Sequence, residues 1–376
     1  MTHRKRLILL GAGNANLQIL RRWCDSPIPR TDLTVLNDTA IVPYSGMLPG
    51  AIAGRYTSED FQIDVAALCK KARATFVQAR AEHMSHAAQS IETDAAHTLE
   101  YDLLSINVGS TTAAPPDAAN DPRSISLKPL HMVEARMNAL EQRARAHRGR
   151  FEIAVIGGGA TAFEISLALA HRLQSLSHAR VSLWTSGNAP LQNHSTRLSK
   201  ICTRLLEKHG VQLYPRRRVS GMDEAGPTTD SGVTEPANAI IWATPAKPTP
   251  FSFCAGLAPD ADSFIPVHDT LQTIASATVF ASGDCATLTS HPNLPKAGVF
   301  SVRQGPVLWD NLHASLHNKP LRPYRPQPLY LFLLNTSHDS AVMQYGRLAL
   351  EGRWAMRWKD AIDRRWMHGL RDVYLK

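Results

Sequence analysis

An internal repeat constrains this chain more than any other feature of its sequence. RLILLGAGNANLQIL begins at residue 6, and FEIAVIGGGATAFEISLALA begins at residue 151. Each copy runs from a short apolar strand through a glycine turn into residues with helical periodicity. Each is then followed by a second strand, DLTVLND at 32–38 and ARVSLWTS at 179–186. The repeat, with Gly11 and Gly157 lying 146 residues apart (157 − 11), predicts an α/β chain built from two similar units.

The first glycine turn matches a dinucleotide-binding loop only in part. In such a loop the backbone of the glycines approaches a pyrophosphate, and the next helix presents free N–H groups to it. The third glycine of the pattern is replaced by Asn16, and the acid expected about 20 residues on is replaced by Asn37. Taken alone, this turn is explained equally well as a structural turn. The residues that would bind the dinucleotide are Gly11, Gly13, Asn14, Ala15 and Asn37.

The second glycine turn matches the pattern fully and predicts a second Rossmann-like unit. Its second strand ends in Thr185 and Ser186, with no acid. A missing acid removes the repulsion that would exclude a 2′-phosphate, so NADPH and NADH both remain open. No arginine stands out in the sequence as a partner for that phosphate. The residues expected to bind this nucleotide are Gly157, Gly159, Ala160 and Thr161, with Ala162 in the third position of the pattern.

Two further strands end in residues typical of a flavin site. YDLLSINVGS ends in a glycine turn at Gly109, and SATVFASGDCATL reaches Gly283 and Asp284, whose carboxylate suits a ribityl hydroxyl. In isolation, a plain helix-capping aspartate explains Asp284 better. The order of fingerprint, strand with glycine, second fingerprint and late Gly-Asp resembles the pyridine nucleotide–disulfide oxidoreductase superfamily. That resemblance implies an FAD domain interrupted by an NAD(P)H domain.

The resemblance also predicts a domain plan. The fold class is α/β, with two Rossmann-like dinucleotide-binding domains arranged as in a glutathione-reductase-like flavoprotein, plus a small C-terminal α+β region. The FAD-binding domain is expected to be discontinuous, at residues 1–115 and 265–320. The NAD(P)H-binding domain is expected at 125–264, and the C-terminal region at 321–376.

Several stretches narrow the resemblance to one branch of the superfamily. PYSGMLPG at 43–50, PKAGVFSVRQGP at 295–306 and WKDAIDRRWM at 358–367 look like the branch often fused ahead of selenide, water dikinase. That branch is similar to type II NADH dehydrogenases and sulfide:quinone oxidoreductases. The resemblance implies that FAD takes a hydride from NAD(P)H and passes electrons to a second acceptor. A quinone or a small sulfur or selenium species is the expected acceptor.

By the same resemblance, PYSGMLPG occupies the position where disulfide reductases carry their redox-active cysteine pair. The segment contains no cysteine, which excludes a dithiol mechanism of that kind. The resemblance implies that this segment packs against the isoalloxazine through Pro43, Tyr44, Ser45 and Gly46. A plain loop with a buried tyrosine is the alternative. Cys285 is expected only to pack. A persulfide or selenide adduct on Cys69 or Cys254 is a minor hypothesis.

Three residues are candidates for catalysis through the same resemblance. Glu164, on the helix after the second fingerprint, matches the glutamate that type II dehydrogenases keep near nicotinamide and flavin; an exposed helical glutamate is the alternative. Lys296 and Gln304, together with Arg303, resemble the quinone-side segment of those enzymes. Lys296 and Arg303 are explained as easily by surface charge. The start of this helix should aim its N–H groups at the flavin edge.

Composition excludes several classes of protein. The five cysteines are scattered without metal-type spacing, so no metal site is expected. A net charge of +9 invites a nucleic-acid partner, but a basic surface around anionic cofactors explains it better, and none is expected. No apolar run approaches the roughly 20 residues that cross a bilayer. The apolar run near the N-terminus is too short for a signal peptide, which favours a cytoplasmic protein.

The C-terminus carries large apolar residues at every fourth position, between basic residues. This pattern predicts an amphipathic basic helix over 353–376 in a cytoplasmic protein. Docking of this helix on the flavin domain or on a second copy in a homodimer is slightly favoured. Contact with an anionic membrane, with the protein peripheral at the inner membrane face, is the alternative. The apolar residues are Trp354, Trp358, Ile362, Trp366, Leu370 and Tyr374.

Two other functions remain open from sequence. One is a flavin enzyme that oxidises a specific small metabolite while its nicotinamide domain is vestigial. The other is a non-catalytic, flavin-bound adaptor that acts through its C-terminal helix at a membrane or partner. The intact glycine loop at 157–159 argues against the first of these.

Overall fold

The computed structural model describes residues 4–249, 256–258 and 263–375. Its first part contains strands β1 (Lys5–Leu10), β2 (Thr31–Asn37), β3 (Ile41–Pro43), β4 (Gln62–Asp64), β5 (Thr75–Gln78), β6 (Ala81–Ser85), β7 (Ser90–Thr93), β8 (Thr98–Glu100), β9 (Leu103–Ile106) and β10 (Thr111–Thr112). The helices of this part are α1 (Asn14–Asp25), α2 (Leu48–Ile52), α3 (Ser58–Phe61) and α4 (Val65–Ala72).

The middle part of the chain contains β11 (Ser124–Ser126), β12 (Phe151–Ile156), β13 (Ala179–Trp184), β14 (Gln212–Tyr214), β15 (Val219–Met222), β16 (Pro227–Thr229), β17 (Ala239–Trp242) and β18 (Ala246–Lys247). Its helices are α5 (Val133–Ala146), α6 (Ala160–Arg172) and α7 (Thr196–Lys208). The last part contains β19 (Ile265–Val267), β20 (Gln272–Thr273), β21 (Ser276–Ala281), β22 (Ala286–Leu288), α8 (Gly298–Leu316), β23 (Phe332–Asn335), β24 (Ala341–Tyr345), β25 (Leu348–Gly352) and α9 (Arg353–Leu375).

The largest sheet joins the two ends of the chain. Its order is β22-β19-β20-β21-β9-β1-β2-β5, and the strands from β21 to β5 run parallel. Leu7 and Leu9 on β1 are fully buried, as expected for a parallel sheet covered on both faces. Because the strands are parallel, the glycine turn after β1, the end of β9 and the Gly-Asp turn after β21 meet at one edge.

The second sheet comes wholly from the middle of the chain. Its order is β11-β17-β12-β13-β14, with all pairs parallel. A short antiparallel pair, Thr111 and Thr112 with Lys247 and Ala246, joins the two crossings between the sheets. These two parallel-sheet units confirm the predicted α/β fold class with two Rossmann-like units. The exact domain boundaries stay a prediction.

The last residues form the expected small α+β region, a three-stranded antiparallel sheet (β23-β24-β25) followed by α9. The apolar stripe predicted for α9 does not form one face. A step of four residues overshoots one helical turn by about 40°, so the stripe winds around the helix. Trp354, Trp358 and Ile362 are 43–46% exposed, whereas Leu370 is buried. The first three residues of the stripe therefore face solvent and the later ones pack on the protein, while the other side of the first half is buried at Ala355, Met356 and Lys359.

Within the described residues, none of the helices combines the length and apolar character needed to span a bilayer. The helix α9 packs on α1, α4 and β4 of the first part of the chain. Trp366 packs against Tyr44 with ring centroids 6.0 Å apart and ring planes inclined by 33°. The Tyr374 hydroxyl accepts a hydrogen bond from the backbone N–H of Asp64 at 3.2 Å. The helix therefore docks on the protein along its whole length, with the start of the apolar stripe left exposed on its outer side, and contact with a membrane stays a prediction.

Candidate active site

The glycine turn after β1 has no room for side chains. Gly11 has a φ of +84°, and a Cβ there would lie 2.7 Å from the carbonyl oxygen of Asn107. A Cβ on Gly13 would lie 2.3 Å from the side-chain oxygen of the same residue. The turn therefore packs directly against the residue that follows β9. On its other side, the glycines leave the backbone of the turn accessible to a ligand. That is the geometry a pyrophosphate loop requires.

Asn107 holds this turn together, although it lies outside both glycine motifs of the sequence. Its Oδ1 accepts from the backbone N–H groups of Ala15 at 3.0 Å and Asn16 at 3.3 Å, so it caps α1 from a neighbouring strand. Its Nδ2 donates to the carbonyl of Ser282, 2.7 Å away. The available signal was a polar residue directly after the buried strand LLSI. With Ala15 occupied in this way, the N–H of Asn14 is left for a ligand.

The two asparagines that weakened the first motif are structural. Asn16 is buried, and its Nδ2 donates to the carbonyl of Gly11 at 2.8 Å. Its Oδ1 accepts from the hydroxyl of Ser105 at 2.6 Å. Asn37 accepts at Oδ1 from the backbone N–H of Ala12 at 2.9 Å. In loops that carry the third glycine, close packing of helix against strand fixes the shape of the loop. Here the side-chain hydrogen bonds of Asn16 and Asn37 fix it instead.

Three elements converge beside this loop. A Cβ on Gly298, the first residue of α8, would lie 3.4 Å from Nδ2 of Asn14 and 4.0 Å from Oγ of Ser45. The N-terminus of α8, the start of α1 and the 43–46 loop thus border one space. Behind it, Gln304 is buried, and its Oε1 accepts from the N–H of Gly283 at 2.7 Å. Gln304 therefore positions the Gly-Asp turn and has little surface of its own.

Asp284 forms an ion pair with the partly buried Lys128, and a second partly buried lysine, Lys296, lines the same cavity. The ammonium of Lys128 is 3.7 Å from Oδ2 of Asp284, and the hydroxyl of Ser110 donates to the same oxygen at 3.3 Å. Burial lowers the pKa of Lys128, and the Asp284 carboxylate opposes that shift. Lys296 donates to Thr287 Oγ1 at 2.9 Å and lies 4.0 Å over the ring of Phe264. Burial lowers the pKa of Lys296 to about 8.

One small cavity is lined by Asp284, Lys296, Ala297 and Gln304 among its residues. The structure therefore brings Lys296 and Gln304 to the Gly-Asp turn, and their expected contact with the electron acceptor stays a prediction. Lys128 was missed, because nothing in its own surroundings in the sequence separates it from other lysines. The glycine loop, the open start of α8 and the acid at the Gly-Asp turn fit an FAD, whose pyrophosphate and ribityl chain need those three features.

The glycine turn after β12 has the same tight construction. Gly157 has a φ of +149°, and a Cβ there would lie 2.2 Å from the carbonyl oxygen of Ala243. A Cβ on Gly158 would lie 2.4 Å from Oγ1 of Thr185, at the end of the neighbouring strand. Gly159 precedes α6 and has open space around it, and Thr161 is exposed. The turn can receive a nicotinamide nucleotide with its backbone.

Glu164, one turn into α6, belongs to a buried ionisable cluster. Its Oε1 accepts from the backbone N–H of Asn335 at 2.7 Å. Burial raises the pKa of Glu164 to about 7; the nearby Lys359 ammonium opposes the rise, and the Asp363 carboxylate adds to it. A carboxyl group with this pKa exchanges protons near neutral pH. Glu164 is therefore not the exposed helical glutamate that was its alternative.

The same cluster reaches the 43–46 loop. Nζ of Lys359 donates to the carbonyl of Gly46 and to Oδ2 of Asp363, both at 2.6 Å. Lys359 is 6% and Asp363 5% exposed, so this is a buried ion pair. Burial raises the pKa of Tyr44 well above its ordinary value, and Asp363 raises it further by charge and hydrogen bond. The C-terminal helix thus ties the loop to Glu164, and Pro43 lies on the strand that enters the loop.

The described cysteines are all free thiols without nucleophilic character. Cys285 is buried, and burial raises its pKa to about 11. Burial likewise raises the pKa of Cys69 to about 12. Both thiols are protonated at neutral pH, in keeping with a packing role for Cys285 and against an adduct on Cys69. Cys254 lies outside the described residues.

Comparison with known proteins agrees with this geometry. The chain is 26% identical over 224 residues to the type II NADH:quinone oxidoreductase of Haemophilus influenzae, covering 55% of this chain and 50% of that protein. Its structure matches the sulfide:quinone oxidoreductase of Aquifex aeolicus with a TM-score of 0.81 at 17% identity, over 98% of this chain and 92% of that one. NDH2 from Plasmodium falciparum in complex with NADH matches with a TM-score of 0.80 at 13% identity, over 96% and 98%.

The similarity to these solved structures, at 13–17% identity, establishes the fold of the chain and not its activity. The chain spans about half the length of the curated relatives it matches. A sequence profile described as pyridine nucleotide-disulphide oxidoreductase matches residues 5–311. At the level of the family, this match confirms the expected class of enzyme and its cofactors, FAD and NAD(P)H. The chain therefore belongs to the pyridine nucleotide-disulphide oxidoreductase family.

Proposed function

We propose that this protein passes a hydride from NAD(P)H to FAD and then passes the electrons to a quinone. One observation carries the proposal. Glu164 lies on the helix that follows the second glycine loop, and Lys359 beside it holds the carbonyl of Gly46 in the loop next to the first. A nicotinamide at one loop and a flavin at the other would meet in front of this shared cluster.

The residues proposed for FAD are those of the first unit. Gly11, Gly13, Asn14 and Ala15 form the pyrophosphate loop, Asn37 shapes it, and Gly109, Gly283 and Asp284 border the ribityl chain. Pro43, Tyr44, Ser45 and Gly46 form one wall of the ring site. The residues proposed for NAD(P)H are Gly157, Gly159, Ala160 and Thr161. The matching domains are 1–115 with 265–320, 125–264, and the C-terminal region 321–376.

The chain contributes position and charge to this reaction. FAD, when bound, supplies the ring that accepts the hydride and releases electrons. The N-terminus of α8 offers a positive field and free N–H groups to the edge of that ring. Lys296 adds a cation that is partly desolvated, and Gln304 fixes the turn that carries Asp284. None of these groups needs to move for the electrons to pass.

A quinone is the proposed acceptor because the matched relative from H. influenzae and the A. aeolicus neighbour are named for quinone reactions. Reducing a quinone to a quinol takes two electrons and two protons. Glu164, with a pKa of about 7, is suited to deliver one of those protons. The 43–50 loop has no cysteine for a sulfur relay, so a small sulfur or selenium species ranks second.

The proposed location is the cytoplasmic side of a membrane, to which the protein binds peripherally. Trp354, Trp358 and Ile362 form an exposed apolar strip on α9, with Arg357 and Arg365 exposed beside it. Indole rings next to arginines suit the interface of an anionic bilayer. A quinone is itself a membrane solute, so a site held at the surface would reach it.

The test is anaerobic reduction of the purified flavoprotein followed by an acceptor panel. NADH or NADPH should bleach the flavin absorbance within the time of mixing, and a short-chain quinone should restore it. Failure of both nucleotides to bleach the flavin would contradict the proposed function. Recovery with polysulfide or selenite but not with quinone would keep the first half-reaction and replace the acceptor.

A further inference from the structure

The residues at the end of β13 would distinguish NADH from NADPH when a nucleotide binds at the second glycine loop. In units of this kind, the hydroxyls of the adenosine ribose lie at the end of the second strand. Here that end is Thr185, Ser186 and Gly187. Thr185 is buried against the glycine loop, and Ser186 is exposed. A carboxylate, which would bind the 2′-hydroxyl and repel a 2′-phosphate, is missing from residues 185–192.

The neighbouring strand brings arginines to this position. β14 pairs in parallel with β13, Trp184 opposite Tyr214, so both strands end at the same edge. Past the strands, the backbone N–H of Arg217 donates to the carbonyl of Thr185 at 2.9 Å. The N–H of Arg216 donates to the carbonyl of Gly187 at 2.8 Å. The run Arg216–Arg217–Arg218 is therefore fastened alongside the residues that face the ribose.

Two of these three arginines have no acidic partner in the part of the chain that the structure describes. Arg218 lies 3.5 Å from the carboxylate of Asp230. For Arg216 and Arg217, no carboxylate of the described residues comes within 4 Å of the guanidinium group. Arg216 also has a φ of +56°, a conformation that costs an arginine energy and that two flanking hydrogen bonds maintain. Two arginines whose backbone is held beside the expected ribose site, and whose guanidinium groups have no carboxylate partner among the described residues, suit the binding of a phosphate.

We propose that Arg216 and Arg217 form a subsite for the 2′-phosphate of NADPH, so that the protein prefers NADPH to NADH. This inference rests on the proposed use of a nicotinamide nucleotide. Sequence spacing alone did not indicate it, because the arginines follow β14 and not β13. Their relevance appears only when the two strand ends are seen side by side.

The test measures binding without turnover. Purified FAD-loaded protein is titrated calorimetrically with 2′,5′-ADP, which carries the 2′-phosphate, and with 5′-AMP, which lacks it. We expect 2′,5′-ADP to bind at least tenfold more tightly than 5′-AMP. Arg216→Ala and Arg217→Ala should each weaken 2′,5′-ADP about tenfold and leave 5′-AMP within twofold. Arg218→Ala, the matched control from the same segment, should keep the preference.

A gain-of-function variant tests the same subsite in the other direction. Ser186→Asp places a carboxylate at the end of β13 and should make the kcat/KM for NADH exceed that for NADPH. Equal binding of 2′,5′-ADP and 5′-AMP to the unaltered protein would overturn the inference, as would an equal loss in the Arg218 variant. Flavin bleaching separates the two proposals. If NADH bleaches the flavin but 2′,5′-ADP and 5′-AMP bind equally, only the proposed subsite is contradicted. If 2′,5′-ADP binds more tightly but neither nucleotide bleaches the flavin, only the proposed function is contradicted.

Discussion

The side-chain oxygen of Asn107 lies 3.0 Å from the backbone nitrogen of Ala15 and accepts its hydrogen bond, so the end of β9 caps the helix that follows β1. The amide nitrogen of the same side chain donates to Ser282 after β21. One amide thus joins three strand ends that the chain reaches at distant points. The shape of the first nucleotide loop depends on this buried contact as much as on its glycines.

Asn107→Ala is expected to lower the free energy of unfolding by about 2 kcal/mol, because it leaves a helix start uncapped and a buried carbonyl unpaired. Urea unfolding followed by circular dichroism measures the loss. Asn120→Ala, at an exposed asparagine, serves as control and should stay within about 0.5 kcal/mol of the unaltered protein. Coincident unfolding curves for all three proteins would contradict the role given to Asn107.

Gly157→Ala should abolish nucleotide binding at the second loop while leaving the FAD content intact. The new methyl group would meet the carbonyl oxygen of Ala243 at 2.2 Å, so the loop has to shift. We expect the Kd for the nicotinamide nucleotide to rise more than tenfold. Gly369→Ala, on α9 and outside both glycine loops, is the control, since no atom lies within 4 Å of its added Cβ. If both variants bind alike, close approach of the loop to Ala243 is irrelevant to binding.

Glu164 should make stability depend on pH in a defined direction. Its pKa is about 7 in the folded protein against an ordinary 4.5, so the folded state holds a proton that the unfolded chain releases between those values. Its contribution to stability is therefore fully present below about pH 4.5 and is lost as the pH rises to 7 and beyond.

Glu164→Gln removes this titration. Between pH 4.5 and 8 the variant should gain stability relative to the unaltered protein, by up to about 3 kcal/mol. Urea unfolding at a series of pH values measures the difference, which cancels the contributions of other titrating groups. A difference that stays constant across the series would place the pKa of Glu164 at its ordinary value.

Lys359→Met should be strongly destabilising. It removes the donor to Gly46 and leaves the buried carboxylate of Asp363 without a cation, a change that typically costs about 3–5 kcal/mol. The double variant Lys359→Met with Asp363→Leu removes both charges and should recover at least half of that loss. A double-mutant cycle of urea unfolding tests this. Independent, additive effects of the two substitutions would mean that the ion pair is not coupled.

The exposed apolar strip of α9, formed by Trp354, Trp358 and Ile362, should control binding to membranes. Trp354→Ser combined with Trp358→Ser is expected to reduce co-sedimentation with phosphatidylcholine–phosphatidylglycerol vesicles roughly tenfold or more. Flavin content and turnover with a water-soluble acceptor should not change. Ile274→Ser, at another exposed apolar residue, is the control. If vesicle binding persists in the double variant while its mass in light scattering halves, this surface covers a second copy of the chain.

The alternation of strands, glycine turns and helices was readable from sequence because it is local. Apolar runs, the glycines of the two loops and the late Gly-Asp each have a period or a spacing. In the sequence, Asn16 and Asn37 look like defects in the first motif. The hydrogen bonds that each side chain makes to the glycine loop cannot be inferred from the motif. Only the fold reveals that these substitutions are compensated.

The missed residues are those whose role comes from contacts distant in sequence. Asn107 and Lys128 act on segments more than 90 residues away, at Ala15 and Asp284. The arginines after β14 matter because of strand order, which no spacing rule encodes. The apolar stripe of α9 is visible in the sequence, but its four-residue spacing makes it wind around the helix, so its first residues face solvent and its later residues pack on the protein.

That winding means that α9 is constrained by register more than by composition. Lys359 must face Gly46 while Trp358, one residue earlier, faces outward. Inserting a single residue ahead of Lys359 would rotate everything after it by about 100° and turn the lysine out of the cluster. Substitutions on the outer side leave that alignment untouched. The fold thus tolerates substitution on the outer surface of this segment, whereas the number of residues between β25 and the buried ion pair is fixed.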